Sequence, residues 1–199
     1  MYSSLFLKKD LGHLPEKVIF LDFDGTVALP ARKENGEYDI QSDGSIGATH
    51  LNKEKFRRLV QFSIQTDIPL YFLSGRPDLQ SCVDLMTDFI ASVDGFHSGI
   101  GGFKKDSLFF ISKMIVEEGK LVRKEITTKA QVIQSMHHEK YSYLPKESIL
   151  LVDDIQEYLD PVRELGYNTL LANQESLEHF DEVEEFMGVT LQKTMAFNT

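Results

Sequence analysis

The sequence is poor in cysteine, in positive charge and in long apolar runs. Its 199 residues include one cysteine, Cys82, which excludes an internal disulfide and a cysteine-based zinc site. Asp and Glu outnumber Lys and Arg by 31 to 21, and the net charge of -10 argues against a general nucleic-acid binder. The longest apolar runs, such as 18–21 and 149–152, are far shorter than the ~20 residues that span a bilayer. We therefore expect neither a nucleic-acid nor a membrane partner.

The N-terminal segment 1–17 also lacks the pattern of a signal peptide. Its apolar patch is very short, and the positive charges lie on the wrong side of it. We therefore expect a protein that is made and kept in a cytoplasm. The sequence leaves open whether the protein is exported into the cytoplasm of another cell, and it does not indicate an oligomeric state.

Short apolar runs alternate with stretches of helical periodicity along most of the chain. Runs without polar alternation are typical of parallel strands that are buried on both faces, and they lie at 18–23, 69–73, 149–152 and 168–172. Helices are predicted at 52–66, 76–90 and 127–136, with a fourth that begins at Pro161 and ends at Gly166. In the second helix, Pro77 is predicted to occupy the first turn. This alternation predicts a three-layer Rossmann-like α/β domain with a mainly parallel, five-stranded sheet.

Two stretches interrupt this alternation without being long enough for a typical independent domain. Residues 28–47 are rich in glycine and polar side chains, which suits a loop or a small hairpin. Residues 94–126 contain a Glu-Gly turn between apolar flanks, which predicts a second hairpin. We therefore expect a single domain over 1–199, with a core at about 15–175 and an acidic C-terminal helix at about 175–188.

Polar residues that suit chemistry follow two of the predicted strands. Asp22 and Asp24 end the first strand, and their spacing of two lets both side chains point toward one region. In the second strand, Ser74, Gly75 and Arg76 precede a helix, an arrangement of hydroxyl, permissive backbone and helix N-terminus that suits phosphate. Ligands of open α/β sheets bind beyond the carboxyl ends of the strands, where these residues lie.

Two further elements complete the pattern. Lys129 stands at the start of a predicted helix, whereas the earlier Lys113 and Lys124 do not begin one. Asp153 and Asp154 end another buried strand. Acids at two strand ends repel each other unless a cation lies between them, and carboxylate oxygens of this kind select Mg²⁺.

Taken in order, the Asp-x-Asp-Gly-Thr, Ser-Gly, Lys and Asp-Asp elements resemble the four motifs of the haloacid dehalogenase superfamily of phosphohydrolases, in its capless type. The resemblance extends from Val18 to about Asn173, and its most specific part is the segment FLDFDGTV. It implies an aspartyl-phosphate mechanism, in which Asp22 is the nucleophile. Asp24 is then the general acid for the leaving oxygen and the general base for the attacking water.

The resemblance also implies the ligands of the metal and of the phosphate. Mg²⁺ would be bound by Asp22, the Asp24 backbone carbonyl, Asp153 and Asp154, while Lys129 neutralises the incoming phosphate. The phosphate itself would be bound by Thr26, Ser74, Gly75 and Arg76. Many members carry a further acid four or five residues after the first acid of the last motif, and here either Glu157 takes that part or Asp154 suffices.

The substrate is the least determined part of the hypothesis. The gaps between motifs have room for a flap and a small hairpin but not for a large cap, and a capless site suits a macromolecule that itself excludes water. We therefore expect a protein phosphatase, with phosphotyrosine preferred, and the alternative is a phosphatase of a small metabolite or nucleotide. A receiver domain carries its acids in the opposite order. A catalytically inactive phosphate-binding module is the remaining hypothesis.

Overall fold

A computed structural model describes residues 14–42, 45–94 and 105–188 of the chain. Its strands are β1 (Val18–Leu21), β2 (Ala28–Pro30), β3 (Ala48–His50), β4 (Leu70–Pro77), β5 (Leu108–Glu117), β6 (Lys120–Glu125), β7 (Ile149–Asp153) and β8 (Asn168–Leu171). Its helices are α1 (Lys53–Thr66), α2 (Gln80–Asp94), α3 (Lys129–Lys140), α4 (Gln156–Glu164) and α5 (Glu178–Met187), with short 3-10 turns at Lys105–Ser107 and Lys146–Ser148. None of the helices in these ranges is long and apolar enough to cross a membrane.

Six strands form the central sheet in the order β6-β5-β4-β1-β7-β8. Five neighbouring strands run parallel, in the order β5-β4-β1-β7-β8, which confirms the predicted fold class. The strand β6 adds an antiparallel edge beside β5. The strands β4 and β7 lie on either side of β1. Leu21 pairs with Phe72 of β4 and with Val152 of β7, so the ends of all three strands lie side by side.

Alternate residues of β1 supply two cores, one on each face of the sheet. Ile19 and Leu21 pack into the core covered by α1, α2 and α5, whereas Val18 and Phe20 pack into the core covered by α3 and α4. All four side chains are essentially inaccessible to solvent. Burial on both faces explains why β1 reads as a continuous apolar run, and it gives the predicted three layers.

Two predicted helix starts are wrong, and both errors involve proline. Pro77 ends β4 instead of beginning a helix, and α2 starts only at Gln80. Pro161 lies inside α4, which begins five residues earlier, at Gln156. The carboxylate of Asp153 accepts a hydrogen bond from the Ile155 N–H (3.0 Å), so the chain turns into the helix directly after β7.

Two hairpins occupy the irregular stretches, as predicted. The strands β2 and β3 pair antiparallel and are joined by a long flap, residues 31–47. The strands β5 and β6 meet at Glu118 and Gly119, whose positive φ angles of 50° and 76° fit a two-residue hairpin turn. Neither insertion is a domain-sized cap within the described residues.

The acidic helix α5 lies inside the segment predicted for it and packs against α1. Phe180 and Val183 belong to the buried core, while Glu184 is fully buried and accepts from Arg58 Nε at 2.6 Å. Asp181 accepts from both Lys55 and Arg58 of α1. The helix therefore joins the core through apolar contacts and an ion-pair network.

Removing Phe72 tests how far the fold depends on the core between β4 and α1. Phe72 is fully buried and makes edge-to-face contacts with Phe23 and Phe56. We expect Phe72→Ala to lower the free energy of unfolding by about 3–5 kcal/mol. Val116 is 70% exposed on the β5–β6 hairpin. Val116→Ala should therefore change the free energy of unfolding by less than about 0.5 kcal/mol. Urea denaturation measures both, and similar losses in the two variants would contradict this account of the core.

Candidate active site

A buried lysine joins the acids at the ends of two neighbouring strands. Lys129 Nζ donates to Asp22 Oδ1 and to Asp153 Oδ2, each at 2.5 Å. The Asp22 N–H donates to the Val152 carbonyl (2.8 Å), which continues the β1–β7 ladder to the level of the two acids. Lys129 is 1% exposed and Asp22 is 6% exposed. The structure therefore brings together three of the predicted site residues in a largely dry environment.

The start of α3 fixes where this lysine lies. Thr128 is the N-cap residue, and its side chain accepts from the Gln131 N–H while the Gln131 side chain accepts from the Thr128 N–H. This capping box makes Lys129 the first residue of the helix. The predicted position of Lys129 is therefore correct, whereas Lys113 and Lys124 pair with each other on the β5–β6 hairpin.

Burial controls the protonation of the cluster. Loss of solvent raises the pKa of the Asp22 carboxyl to about 7, against the opposing effect of Lys129, and Asp153 adds to the increase. Burial by itself would lower the pKa of Lys129, but the two carboxylates outweigh it and raise the pKa above its usual value. Lys129 thus stays charged, and Asp22 retains a proton more readily than an exposed aspartate does.

A third carboxylate completes an oxygen-rich cluster. Oxygen atoms of Asp22, Asp153 and Asp154 all lie within 4.8 Å of one another. Asp154 Oδ2 accepts from Gln174 Nε2 at 3.2 Å, but Asp154 Oδ1 is buried with no hydrogen-bond partner among the described residues. Burial and the neighbouring Asp153 raise the pKa of Asp154. A set of carboxylate oxygens with an unpartnered atom fits a hard cation such as Mg²⁺.

Gly25 permits the close approach of Asp154. Its φ of +80° is in the left-handed region, and a Cβ built there would lie 2.0 Å from Asp154 Oδ2. The Gly25 N–H donates to the Ala28 carbonyl (2.7 Å), and the Ala28 N–H donates to the Phe23 carbonyl (2.9 Å). Residues 23–28 thus form a tight loop that only glycine at position 25 allows to close against the acids.

His179, which the sequence did not indicate, holds this loop from the other side. Its Nε2 donates to the Thr26 carbonyl (2.9 Å), and its Nδ1 accepts from the Asn173 N–H (3.3 Å). These two bonds require the neutral ring, and burial lowers the pKa of His179 accordingly. The Thr26 hydroxyl is also buried and has no hydrogen-bond partner among the described residues. The loop that follows Asp22 therefore carries a buried hydroxyl without a partner among the described residues.

Asp24 and Arg76 form a forked ion pair. Arg76 Nε and Nη2 donate to the two carboxylate oxygens of Asp24 at 2.8 Å each, and Nη1 donates to the Ile46 carbonyl of the flap at 2.5 Å. The guanidinium lies 4.9 Å from the centre of the Phe23 ring. Asp24 lies beyond the end of β1 at Leu21, and its carboxylate pairs with Arg76 while remaining near enough to Asp22 for its charge to raise the pKa of that group. All three guanidinium nitrogens of Arg76 have protein acceptors, and its contact with phosphate stays a prediction.

Ser74 and Gly75 lie beside a second arginine, Arg123 of β6. Ser74 is 1% exposed, and its hydroxyl accepts from the Arg76 N–H at 3.1 Å. A Cβ on Gly75 would lie 3.2 Å from Arg123 Nη2. Sequence reasoning missed Arg123, although the alternation of β6 places it on one face together with Glu125.

Glu157 does not join the acid cluster. Its side chain is exposed, and the carboxylates that converge in the described residues are those of Asp22, Asp153 and Asp154. The next residue, Tyr158, lies closer to the site, with its ring 4.9 Å from Lys129 Nζ and its hydroxyl donating to Glu125 Oε1 at 2.9 Å. Of the two sequence alternatives, the geometry favours Asp154 as the additional acid.

No protein-family model matches the chain, and no curated protein matches its sequence. Solved structures do resemble it. An uncharacterized protein from Corynebacterium glutamicum is 13% identical, with 87% of this chain and 96% of that chain covered and a TM-score of 0.50. Of the four motifs, two lie at the ends of β1 and β7, one lies within β4, and Lys129 begins α3. The chain has an α/β fold similar to that of the Corynebacterium glutamicum protein, and its mainly parallel central sheet is the Rossmann-like arrangement that was expected.

Two further solved structures with this likeness carry descriptive names. The 3-deoxy-D-manno-octulosonate 8-phosphate phosphatase from Moraxella catarrhalis, in complex with magnesium, phosphate and its sugar acid, is 15% identical over 85% of this chain and 86% of that chain, with a TM-score of 0.49. The HAD domain of the effector protein Lem4 from Legionella pneumophila is 13% identical over 90% and 99%, with a TM-score of 0.48. At these identities the likeness concerns the fold.

Removing the charge of Lys129 should destabilise the protein in a pH-dependent way. Lys129→Met leaves Asp22 and Asp153 buried together without a cation, which we expect to cost about 3–5 kcal/mol of unfolding free energy at pH 8 without metal. The loss should be smaller at pH 5, because the carboxyls can then take up protons. Lys124→Met removes a side chain that is 61% exposed and serves as the control. Urea denaturation at both pH values measures the loss of unfolding free energy. A loss in Lys129→Met that is the same at pH 5 and pH 8, or no larger than in Lys124→Met, would contradict the ion-pair account.

The His179 contacts predict a second pH dependence, of known sign. Because the folded pKa of His179 lies below the unfolded value of about 6.5, the unfolded chain binds more protons as the pH falls below that value. The stability that neutral His179 contributes should therefore be present above pH 6.5 and be lost on acidification. We expect a smaller drop in the urea midpoint from pH 7.5 to 5.5 in His179→Gln than in the parent. His138→Gln, at an exposed site, should behave like the parent.

Proposed function

We propose that the protein is a Mg²⁺-dependent phosphomonoester hydrolase that acts through an aspartyl phosphate on Asp22. The observation that supports this most directly is the buried Lys129 between Asp22 and Asp153, next to the unpartnered oxygen of Asp154. A structural ion pair would need one acid for one lysine. Three acids around one lysine leave excess negative charge, which is suited to a cation and to the charge changes of phosphoryl transfer.

Asp22 supplies the nucleophilic oxygen. In the first step its carboxylate bonds to phosphorus while the bond from phosphorus to the leaving alcohol oxygen breaks, and in the second step water releases phosphate and restores the carboxylate. Lys129 offsets the negative charge that gathers around the phosphoryl group. A magnesium ion held by Asp22, Asp153, Asp154 and the Asp24 carbonyl would supply the remaining positive charge.

Asp24 is the proton carrier in this proposal. It would give a proton to the leaving alcohol oxygen and later take one from the attacking water. The fork with Arg76 fixes the orientation of its carboxylate, because two parallel hydrogen bonds define the plane of the group. Arg76 thus acts on the reaction through Asp24, which differs from the direct phosphate contact expected from the sequence.

Hydroxyl groups are available for the transferring phosphate. The unpaired Thr26 hydroxyl lies in the loop that follows Asp22, and Ser74 lies in the neighbouring strand β4. The backbone at Gly75 is free of a side chain, so a phosphate oxygen can approach its N–H closely. These donors would stabilise the oxygens that become more negative in the transition state.

For the substrate, we favour a small phosphomonoester, the alternative that the sequence left open. The exposed Arg123 beside Gly75 provides charge at the mouth of a site whose reacting groups are buried, which suits a compact charged substrate. A phosphorylated protein, including a phosphotyrosine protein, stays a prediction that no contact among the described residues supports. A panel of phosphorylated metabolites and nucleotides beside a phosphotyrosine peptide compares the two.

The chemical proposal is tested with p-nitrophenyl phosphate. We expect turnover that requires Mg²⁺, and a decrease in kcat of about 10³-fold or more in Asp22→Asn, because the nucleophile is lost. Asp160→Asn changes an exposed acid of α4 that lies outside the cluster, and it should behave like the parent. A folded parent without turnover of this ester or of any member of the panel would favour a phosphate-binding module.

Metal binding has a readout that does not depend on turnover. Mg²⁺ that binds only the folded protein raises its melting temperature, by an amount that grows with the logarithm of metal concentration above Kd. We expect this shift in the parent and in Asp160→Asn, and its loss in Asp154→Asn. A shift that is unchanged in Asp154→Asn would place the cation elsewhere.

A further inference from the structure

Arg123 is a cation at the mouth of the site that is not neutralised by the protein. Its Nε donates to the Ser112 hydroxyl at 3.1 Å, and its Nη1 and Nη2 have no acceptor among the described residues. The side chain is exposed. An exposed arginine is ordinarily a solvated surface group. Whether Arg123 can bind a ligand therefore depends on how its side chain is positioned and on which charges lie around it.

One hydrogen bond and the position of the backbone in the sheet place the guanidinium. Arg123 pairs with Met114 in the β5–β6 ladder, so its backbone is part of the sheet. Ser112, which accepts from Nε, is fully buried. On the other side, Nη2 lies 3.2 Å from the position that a Cβ of Gly75 would take. The fork is therefore directed over the backbone that separates Ser74 from Arg76.

The nearest acid on the same strand face, Glu125, does not neutralise Arg123. Glu125 lies two residues along β6, yet its Oε1 accepts from the Tyr158 hydroxyl (2.9 Å) and it forms no ion pair with Arg123 within the described ranges. Arg76, on the other side of Gly75, is fully used by Asp24 and the Ile46 carbonyl. In a protein of net charge -10, Arg123 thus offers two donors that no neighbouring carboxylate takes up.

We propose that Arg123 is a specificity-determining residue that binds a second anionic group, a carboxylate or a second phosphate, on the alcohol part of the substrate. The inference rests on the proposed function and names its substrate class. The transferring phosphoryl group belongs beside Asp22 and Lys129, which are buried, whereas Arg123 is exposed at the mouth. The part of the substrate that projects outward is the alcohol, and a planar fork binds paired anionic oxygens with two parallel hydrogen bonds.

Three esters of one carbon skeleton test this subsite: glycerol phosphate, phosphoglycerate and glycerol bisphosphate. Phosphoglycerate and glycerol bisphosphate carry a second anionic group, and we expect the parent to prefer at least one of them over glycerol phosphate. For that ester, Arg123→Gln should lower kcat/KM by about 10–100-fold, the range for a hydrogen bond to a charged group. The loss for glycerol phosphate should be at least about 10-fold smaller, and Arg123→Lys should recover part of the preference because it keeps the charge. Which ester responds distinguishes a carboxylate from a second phosphate.

A matched control lies next in the chain. Lys124 has the same charge but faces the other side of β6, so Lys124→Gln should leave the ratio between the three esters as in the parent. Two results would overturn the proposal. One is an equal loss of kcat/KM on all three esters in Arg123→Gln, and the other is a parent that prefers neither of the esters with a second anionic group. Failure of the proposed function is a different result, namely no hydrolysis of p-nitrophenyl phosphate by a folded parent.

Discussion

The bridge from Lys129 to Asp22 and Asp153 is the interaction on which the rest of the site depends. Because β1 and β7 are neighbours in register, the two acids that follow them are brought side by side, and in a buried setting their charges repel strongly. The lysine makes this arrangement possible, and its place requires that α3 begin at one particular residue. Strand order, the Thr128 capping box and the burial of the site therefore serve a single electrostatic requirement.

The same requirement explains the tight packing around the loop that follows Asp22. Asp154 approaches so closely that only glycine fits at position 25, and the loop is held through its Thr26 carbonyl by neutral His179. Neither contact contributes a reacting group. Each limits the movement of the loop, so that Asp22 and the unpaired Thr26 hydroxyl keep a fixed relation to the other acids. Such support from outside the reacting groups is what keeps a charged, buried site in one arrangement.

Much of the fold and of the central cluster could be predicted, because both follow from local patterns. Continuous apolar runs indicate buried parallel strands, and residues at the ends of such strands meet at one edge of the sheet, which is why Asp22 and Asp153 were found. Lys129 was found from its place at the start of a predicted helix and from the resemblance. Arg123 and His179 could not be found in this way. The first depends on how a hairpin extends past the end of β4, and the second on the packing of the last helix, and both are long-range facts. Pro161 was misjudged because α4 already begins at Gln156, after a local turn in which the Asp153 carboxylate accepts from the Ile155 N–H.

The two arginines beside Gly75 differ in their partners: Arg76 is paired with protein groups, whereas the outer nitrogens of Arg123 are not. Arg76 neutralises Asp24 and ties it to the flap, so its charge contributes little attraction to an incoming anion. Arg123 donates to Ser112 through Nε, and its Nη1 and Nη2 have no acceptor among the described residues, while Glu125 accepts from Tyr158. A chain with ten more negative than positive charges repels phosphate esters at long range. Under the proposed function, recognition comes from charges held at short range, and Arg123 would favour substrates that present a second anion near Gly75.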